Sequence, residues 1–366
     1  MTIYYTTHNA AGGGTGLSLS SPMTIYEAED IATAGDEIRL CNTGTYALTG
    51  TNTWIFDNTV NLGSITNPIR IFGYDATGTT EETSTISGEN MTVGNYDLVS
   101  FSVNSCLRFK NIRFTQAKRY GINVPSATSY FFFENCRFDH CVNHGVNISA
   151  SACFFETTKC LFDNNGGSGY YTGGSGGKGT HSFDIFYKNT GYGCYCSGAA
   201  SSGTPKPIFN NCFFVKNVSH GIGFINNTSY PYFMINNCTS VSNGGSGLIT
   251  GASIAQQNIQ NSIFANNGGY GINFGGLTIM EYITLCQKNC CYGNATGHTD
   301  INGGVLPGTG HKYLNPNFVN MADDFEDYTP QETGLLISED TGMGIDYNYI
   351  GAIQPQIKAT LLLKLG

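Results

Sequence analysis

The stretch NNGGYGINF, Asn266–Phe274, has two close echoes upstream, NNGGSGYYT from Asn164 and SNGGSGLIT from Ser242. Aligning the residues around each echo uncovers a repeat. IRFTQAKRYGINV starts at Ile112, CRFDHCVNHGVNI at Cys136, CLFDNNGGSGYYT at Cys160 and DIFYKNTGYGCYC at Asp184. CFFVKNVSHGIGF starts at Cys212, CTSVSNGGSGLIT at Cys238 and SIFANNGGYGINF at Ser262, and a degraded copy, NCCYGNATGH, starts at Asn289. The first seven starts are 24, 24, 24, 28, 26 and 24 residues apart.

Three columns define the repeat. Its third position holds Phe114, Phe138, Phe162, Phe186, Phe214, Ser240 and Phe264. Its tenth holds Gly121, Gly145, Gly169, Gly193, Gly221, Gly247 and Gly271. In later copies its sixth holds Asn165, Asn189, Asn217, Asn243, Asn267 and Asn294. A period in the twenties built of short runs with apolar residues at every second place marks a solenoid of strands. Such a chain is all-β: a right-handed parallel β-helix of about ten coils, ~4.8 Å per coil, with equivalent residues stacked in ladders. Phe is expected to stack inside. Asn is expected at a turn, pairing its amide between coils in a conformation that tolerates αL. The Gly column marks a turn that needs positive φ or has no room for a Cβ.

The flanks are less regular. Residues 1–35 read as an entry strand and a capping helix, with Ser21 at the N-cap, Pro22 at N1, an end near Gly35 and an apolar stripe of Ala28, Ile31 and Ala32. This helix would cover strand edges at the open end of the solenoid. DEIRL, TWIF, PIRIFGY and LVSFSV are expected as strands of the first coils. The β-helix is expected over 36–305. Residues 306–366, with the acidic ADDFED and the apolar IKATLLLKLG, form a C-terminal segment expected to serve assembly.

Composition narrows the function. Charged residues make up 12%, aromatic residues 13%, and the net charge is −9 with no run of Lys or Arg. Binding to a nucleic-acid backbone is therefore not expected. The start, MTIYYTTHNAAGGG, has no basic and apolar leader, so the thirteen cysteines are expected to stay reduced and the sequons at Asn147 and Asn237 to carry no glycan. No apolar run is long enough to cross a membrane.

Few residue groups invite chemistry. Cys136, Cys160, Cys212 and Cys238 share one inward column, and Cys194 and Cys196 one side of a strand. They read as small core thiols, because His partners and a CxxC motif are missing. No metal or cofactor is expected. Asp139 and Asp163 share the fourth position of adjacent coils, pointing outward beside Arg113 and Arg137. Two carboxylates one coil apart could act as nucleophile and acid in a retaining glycosidase, with Arg137 in support. The same pattern is that of a solvent-facing charged sheet. His144 and His220, before the Gly column, read as polar turn residues. The outward halves of YFFF, Tyr130–Phe133, and YPYF, Tyr230–Phe233, could stack on sugars or bury against a subunit. The insertions 173–181 and 197–207 are expected to form one lateral ridge.

With TIYYTTHNAAGGGTGLSLSSPMTIYEAEDIATAGDEIRL at the entry, NPIRIFGYDA in the next coil and YLNPNFVNMADDF…YIGAIQP at the exit, the chain resembles the pectin-lyase-like superfamily of right-handed parallel β-helices. The exit resembles β-helix proteins of phage and bacterial genomes. The resemblance is specific for fold and leaves activity open; the missing leader, sparse charge and missing catalytic motifs favour a non-enzymatic virion protein: a spike, fibre or capsid decoration, homotrimeric or bound to other virion proteins, made in the host cytosol, located on the virion surface and able to touch host glycans. The alternative is a polysaccharide lyase or glycoside hydrolase of the same superfamily. The paired Asp and Arg-x-Lys motifs of polygalacturonases and the Arg-centred motifs of pectate lyases are missing.

Overall fold

A computed structural model describes residues 1–56, 63–92, 94, 96–101, 104–125, 129–150, 153–173, 178–197, 207–225, 233–251, 257–275, 285–301, 304–316, 318–320 and 327–330. Three parallel sheets run the length of a right-handed β-solenoid. The first has eleven strands, from Ile3–Thr7 to Leu285–Gln287; the second has ten, from Tyr46–Ala47 to Cys290–Tyr292; the third has ten, from Trp54–Phe56 to Gly297–Thr299. Each strand pairs with its equivalents in the coils on either side.

One coil shows how the repeat folds. Tyr130–Glu134 lies in the first sheet, Arg137–Asp139 in the second and Val146–Ile148 in the third. Single left-handed residues make the corners around the second sheet: Asn135 at φ 53° and His140 at φ 53°. Asn111, Lys159, Asn211, Asn237 and Asn261 repeat the first corner, and Asn164, Lys188, Lys216, Ser242 and Asn266 the second. The amide freed at such a bend bonds to the next coil, as Asn135 N does to Thr158 O at 2.9 Å.

The columns become ladders. Phe114, Phe138, Phe162, Phe186 and Phe214 stack inside with centroids 4.7–5.2 Å apart and nearly parallel rings. Phe264 is buried in the same column beyond Ser240, whose hydroxyl instead donates to Gly247 O at 2.8 Å. Phe109, Phe133 and Phe155 form a second stack at 4.8 and 4.7 Å.

The Asn column is a hydrogen-bonded spine. Asn189 Nδ2 donates to Phe162 O at 2.9 Å and to Asn217 Oδ1 at 3.0 Å, and Asn189 N donates to the same Oδ1 at 3.1 Å. Asn165, Asn217, Asn243 and Asn267 repeat the motif. Its members are not the αL residues. Positive φ falls one place earlier, at Asn164, Lys188, Lys216, Ser242 and Asn266. The Asn side chain must point inward to bridge coils, and its less buried neighbour makes the bend.

The Gly column resolves to its steric alternative. None of the seven glycines has positive φ. A Cβ on Gly121, Gly145, Gly169, Gly193, Gly221 or Gly247 would lie 2.6–2.8 Å from the carbonyl oxygen of the next glycine in the ladder, and one on Gly271 would lie 2.9 Å from Asn294 Nδ2 and Cys291 Sγ.

The capping helix is shorter than expected, Ile25–Ile31, and Thr24 rather than Ser21 is its N-cap. Thr24 and Glu27 form a reciprocal capping box, which holds two backbone donors where Pro22 could hold none. Ala28 and Ala32 are buried with Ile25, but Ile31 is exposed. No described helix is long and apolar enough to cross a membrane.

The early strands fall at Glu37–Cys41, Trp54–Phe56, Ile69–Tyr74 and Val99–Phe101. Residues 174–177 and 198–206 of the expected ridge, Tyr230–Tyr232 and the run 357–366 lie outside the described residues.

Candidate functional site

The second sheet carries Asp139 and Asp163 on its outer face, directly paired across neighbouring coils. They are not solvent-facing: both are almost wholly buried. Arg113 covers Asp139 with a fork, Nε to Oδ1 at 3.1 Å and Nη2 to Oδ2 at 2.7 Å. Arg137 covers Asp163 the same way, at 3.0 and 2.9 Å, and its Nε lies 3.4 Å from Asp139. His140 Nδ1 lies 2.8 Å from Asp139, and Asn164 Nδ2 donates to Asp163 at 2.7 Å. Each arginine thus reaches one coil forward and two positions along.

The pair points outward as expected, but it is not open to solvent. Burial pushes both carboxyls up. At Asp139 the Arg113 fork and the charges of Arg137 and Arg113 outweigh it, and the group sits below its ordinary value. At Asp163 burial prevails over the single Arg137 fork, with the Asp139 charge adding to it, and the group sits above. A nucleophile needs a free lone pair facing substrate, and a general acid needs a proton within reach of it. Both Asp139 oxygens and both Asp163 oxygens are taken by donors under an arginine cover. The site is an alternating charge ladder that ties coils together.

His144 and His220 bond between coils. His144 Nδ1 accepts from Ser168 N at 2.9 Å, and His220 Nδ1 accepts from Ser246 N at 2.7 Å. A backbone N–H can only donate, so each neutral ring carries its proton on Nε2. Burial pushes His144 down to about 4 and lowers His220 also. His144 stacks between Tyr120 and Tyr171, at 5.5 and 4.5 Å. With Nδ1 committed and Nε2 protonated, neither ring has a lone pair to act as a base.

A polar group inside the core escaped the sequence reading. Asp184 stands where the column otherwise holds Cys160 and Cys212, and it is fully buried. It accepts from Cys160 N at 2.7 Å and from the Thr157 hydroxyl, and it lies 3.4 Å from His181 Nδ1. His181 stacks on Phe209 at 4.8 Å. Burial raises the Asp184 carboxyl above its ordinary value despite these partners. The signal was the Asp in a Cys column, three residues after a His. The thirteen cysteines are all buried, and none forms a disulfide. The described residues contain no group of three or more His, Cys, Asp or Glu placed to hold a metal ion.

Of the outward aromatic runs, Phe131 and Phe133 point into the core while Tyr130 is exposed, 5.8 Å from Phe154. Phe233 is buried.

A family model described as a right-handed β-helix region matches residues 35–204. Among solved structures, pectate lyase Pel9A is 17% identical, with 96% of each chain covered and a TM-score of 0.68. The A-module of Azotobacter vinelandii mannuronan C-5 epimerase AlgE4 is 13% identical, covering 81% of this chain and 80% of that one, with a TM-score of 0.53. ORF18 of Geobacillus virus E2 is 13% identical over 79% of this chain and 61% of that one, with a TM-score of only 0.38. No curated protein matches in sequence. At these identities the likeness shows the fold: this is a right-handed parallel β-helix.

Proposed function

We propose that the chain is a non-catalytic structural protein of a virus particle's exterior, a spike, fibre or capsid decoration of a phage-like virus. It would act as a homotrimer or on other particle proteins, with host glycans as secondary contacts. The observation that carries the non-catalytic part is the arginine cover on Asp139 and Asp163, which commits that carboxylate pair to joining coils. Thirteen buried cysteines, none in a disulfide, suit folding and assembly in a reducing cytosol. The exposed Tyr130 beside Phe154 offers an aromatic contact for a sugar or a neighbouring subunit.

The test pairs particle analysis with an activity assay. Purified particles are expected to contain the chain at a fixed ratio to their main shell protein, and the pure chain to leave a panel of neutral and anionic polysaccharides intact. Particles lacking the chain would overturn the virion assignment. Saturable depolymerisation by the pure chain would replace it with a polysaccharide lyase or glycoside hydrolase.

A further inference from the structure

Three members of the asparagine spine stand immediately before a glycine: Asn165 before Gly166, Asn243 before Gly244 and Asn267 before Gly268. Asn189 and Asn217, in the coils between, precede Thr190 and Val218. An Asn-Gly step carries a chemistry of its own. The glycine nitrogen, once hydroxide has taken its proton, attacks the Asn Cγ, and no side chain on the glycine hinders the approach. The Cγ–Nδ2 bond breaks, ammonia leaves with a proton drawn from water, and a succinimide ring closes. Water then opens the ring at either carbonyl and leaves aspartate or isoaspartate.

The fold keeps the reacting groups apart. Attack needs a free glycine nitrogen and an Asn side chain turned back onto its own backbone. Gly166 N donates to Cys141 O at 2.9 Å, Gly244 N to Asn217 O at 2.9 Å and Gly268 N to Asn243 O at 2.8 Å. The amides are turned inward and held at both ends. Asn243 Nδ2 donates to Phe214 O and to Asn267 Oδ1, each at 3.0 Å, and its Oδ1 accepts from Asn217 Nδ2 at 3.0 Å. Asn165 and Asn267 are held the same way, with Nδ2 on Phe138 O and Ser240 O. All three are buried, out of reach of hydroxide. The glycines answer a steric need. A Cβ on Gly166, Gly244 or Gly268 would lie 2.1–2.2 Å from the carbonyl oxygen of Val142, Val218 or Gly244 in the preceding coil. Close packing of these corners therefore puts a labile step into the spine itself.

We propose that the spine is a one-way chemical switch: its Asn-Gly steps are inert in closed coils, convert to aspartate or isoaspartate once a coil opens, and then keep that coil open. The product cannot rejoin the spine. An aspartate at 243 has no Nδ2 hydrogens for Phe214 O and Asn267 Oδ1, and its charge would sit against those two oxygens inside the coil. An isoaspartate also adds a carbon to the main chain between residues that bond to neighbouring coils. The working lifetime of the solenoid is then set by how often its coils open.

The full chain tests this in mildly alkaline buffer, folded and in urea, with aspartate and isoaspartate counted at each site by mass spectrometry. In urea, Asn165, Asn243 and Asn267 should convert ahead of Asn189 and Asn217. In the folded chain the same three should convert at least about tenfold more slowly than in urea, because only the open fraction reacts. Equal rates in the two conditions would overturn the proposal, as would conversion in urea without preference for the three. The one-way step is read on the folded sample after long incubation. Chains converted at Asn243 should be enriched at least about tenfold in the fraction that a brief protease pulse cleaves, and an equal share in cleaved and intact chains would overturn it. The variant Asn243→Asp carries the product from the start. Hydrogen exchange in its strands Thr239–Val241 and Ile263–Ala265 should be at least about tenfold faster than in wild type, and wild-type protection there would also overturn the proposal.

Discussion

Arg137 donates through Nε and Nη2 to Asp163 in the following coil while lying 3.4 Å from Asp139 in its own strand, so one guanidinium bridges two buried carboxylates. Removing it strands the Asp163 charge, while Asp139 keeps its Arg113 fork. Arg137→Gln should lower stability by about 3–5 kcal/mol, as expected when one partner of a buried pair is lost. The double variant Arg137→Met with Asp163→Leu should recover most of it, because later coils hold apolar residues at these positions. Urea unfolding of the two variants beside wild type checks both signs.

The two carboxylates should respond to acid in opposite directions. The folded value of Asp139 lies below its unfolded one, so its contribution is complete above about pH 3.9 and is lost as pH falls through the lowered folded value. Asp163 is raised, so the folded state holds its proton more tightly, and stability falls as pH rises from about 3.9 through the raised folded value. Asp139→Asn should flatten the acid loss of stability, and Asp163→Asn should remove a loss on the neutral side. Urea midpoints measured from pH 3 to 7 would show whether the two profiles diverge.

Much of the fold was legible because a stacked solenoid turns sequence period into spatial neighbourhood. Phe138 and Phe162 touch because they are 24 residues apart. The candidate site was less legible. Whether Asp139 faces water depends on Arg113, 26 residues away, and on a cover that alternation along one strand cannot reveal. The outward Ile185 and Phe213 were visible as letters, but the alternation of one strand cannot say that both of its faces are buried. The helix start was a competition of local signals, and Thr24 with Glu27 outweighed Ser21 with Pro22.

Phe138 packs between Phe114 and Phe162 at 5.2 and 4.9 Å and has no exposed surface. Phe138→Ala should leave a cavity that the stacked rings cannot fill and cost about 3–5 kcal/mol. A denaturation midpoint equal to that of wild type would show that the stack contributes nothing.

Two glycines separate sterics from backbone strain. Gly50 has φ 62° and open space at its Cβ position, so Gly50→Ala meets only the left-handed penalty, about 1 kcal/mol. Gly221 lacks positive φ, but its Cβ would lie 2.6 Å from Gly247 O and would also strike Ser240 Oγ. That carbonyl cannot retreat without breaking its bond from Ile222 N, 3.0 Å. Gly221→Ala should therefore lower the melting temperature more than Gly50→Ala. The reverse order in thermal unfolding would contradict the close-approach account.

The spine makes the last prediction. Asn217 Oδ1 accepts from Asn189 N and Nδ2, and its Nδ2 donates to Phe186 O at 3.1 Å and Asn243 Oδ1 at 3.0 Å. All of these groups lie inside, where water cannot replace the lost amide. Asn217→Leu is close in volume but leaves the Asn189 donors and Phe186 O unmatched, at about 1–3 kcal/mol each. In a solenoid each coil is held by its neighbours, so the damage should concentrate there. Hydrogen exchange should speed up first in the strands Ile185–Tyr187 and Phe213–Val215, while Ile112–Thr115 keeps its protection. Uniform acceleration along the whole chain would show instead that the coils unfold as one unit, and that the spine is not a local fastening.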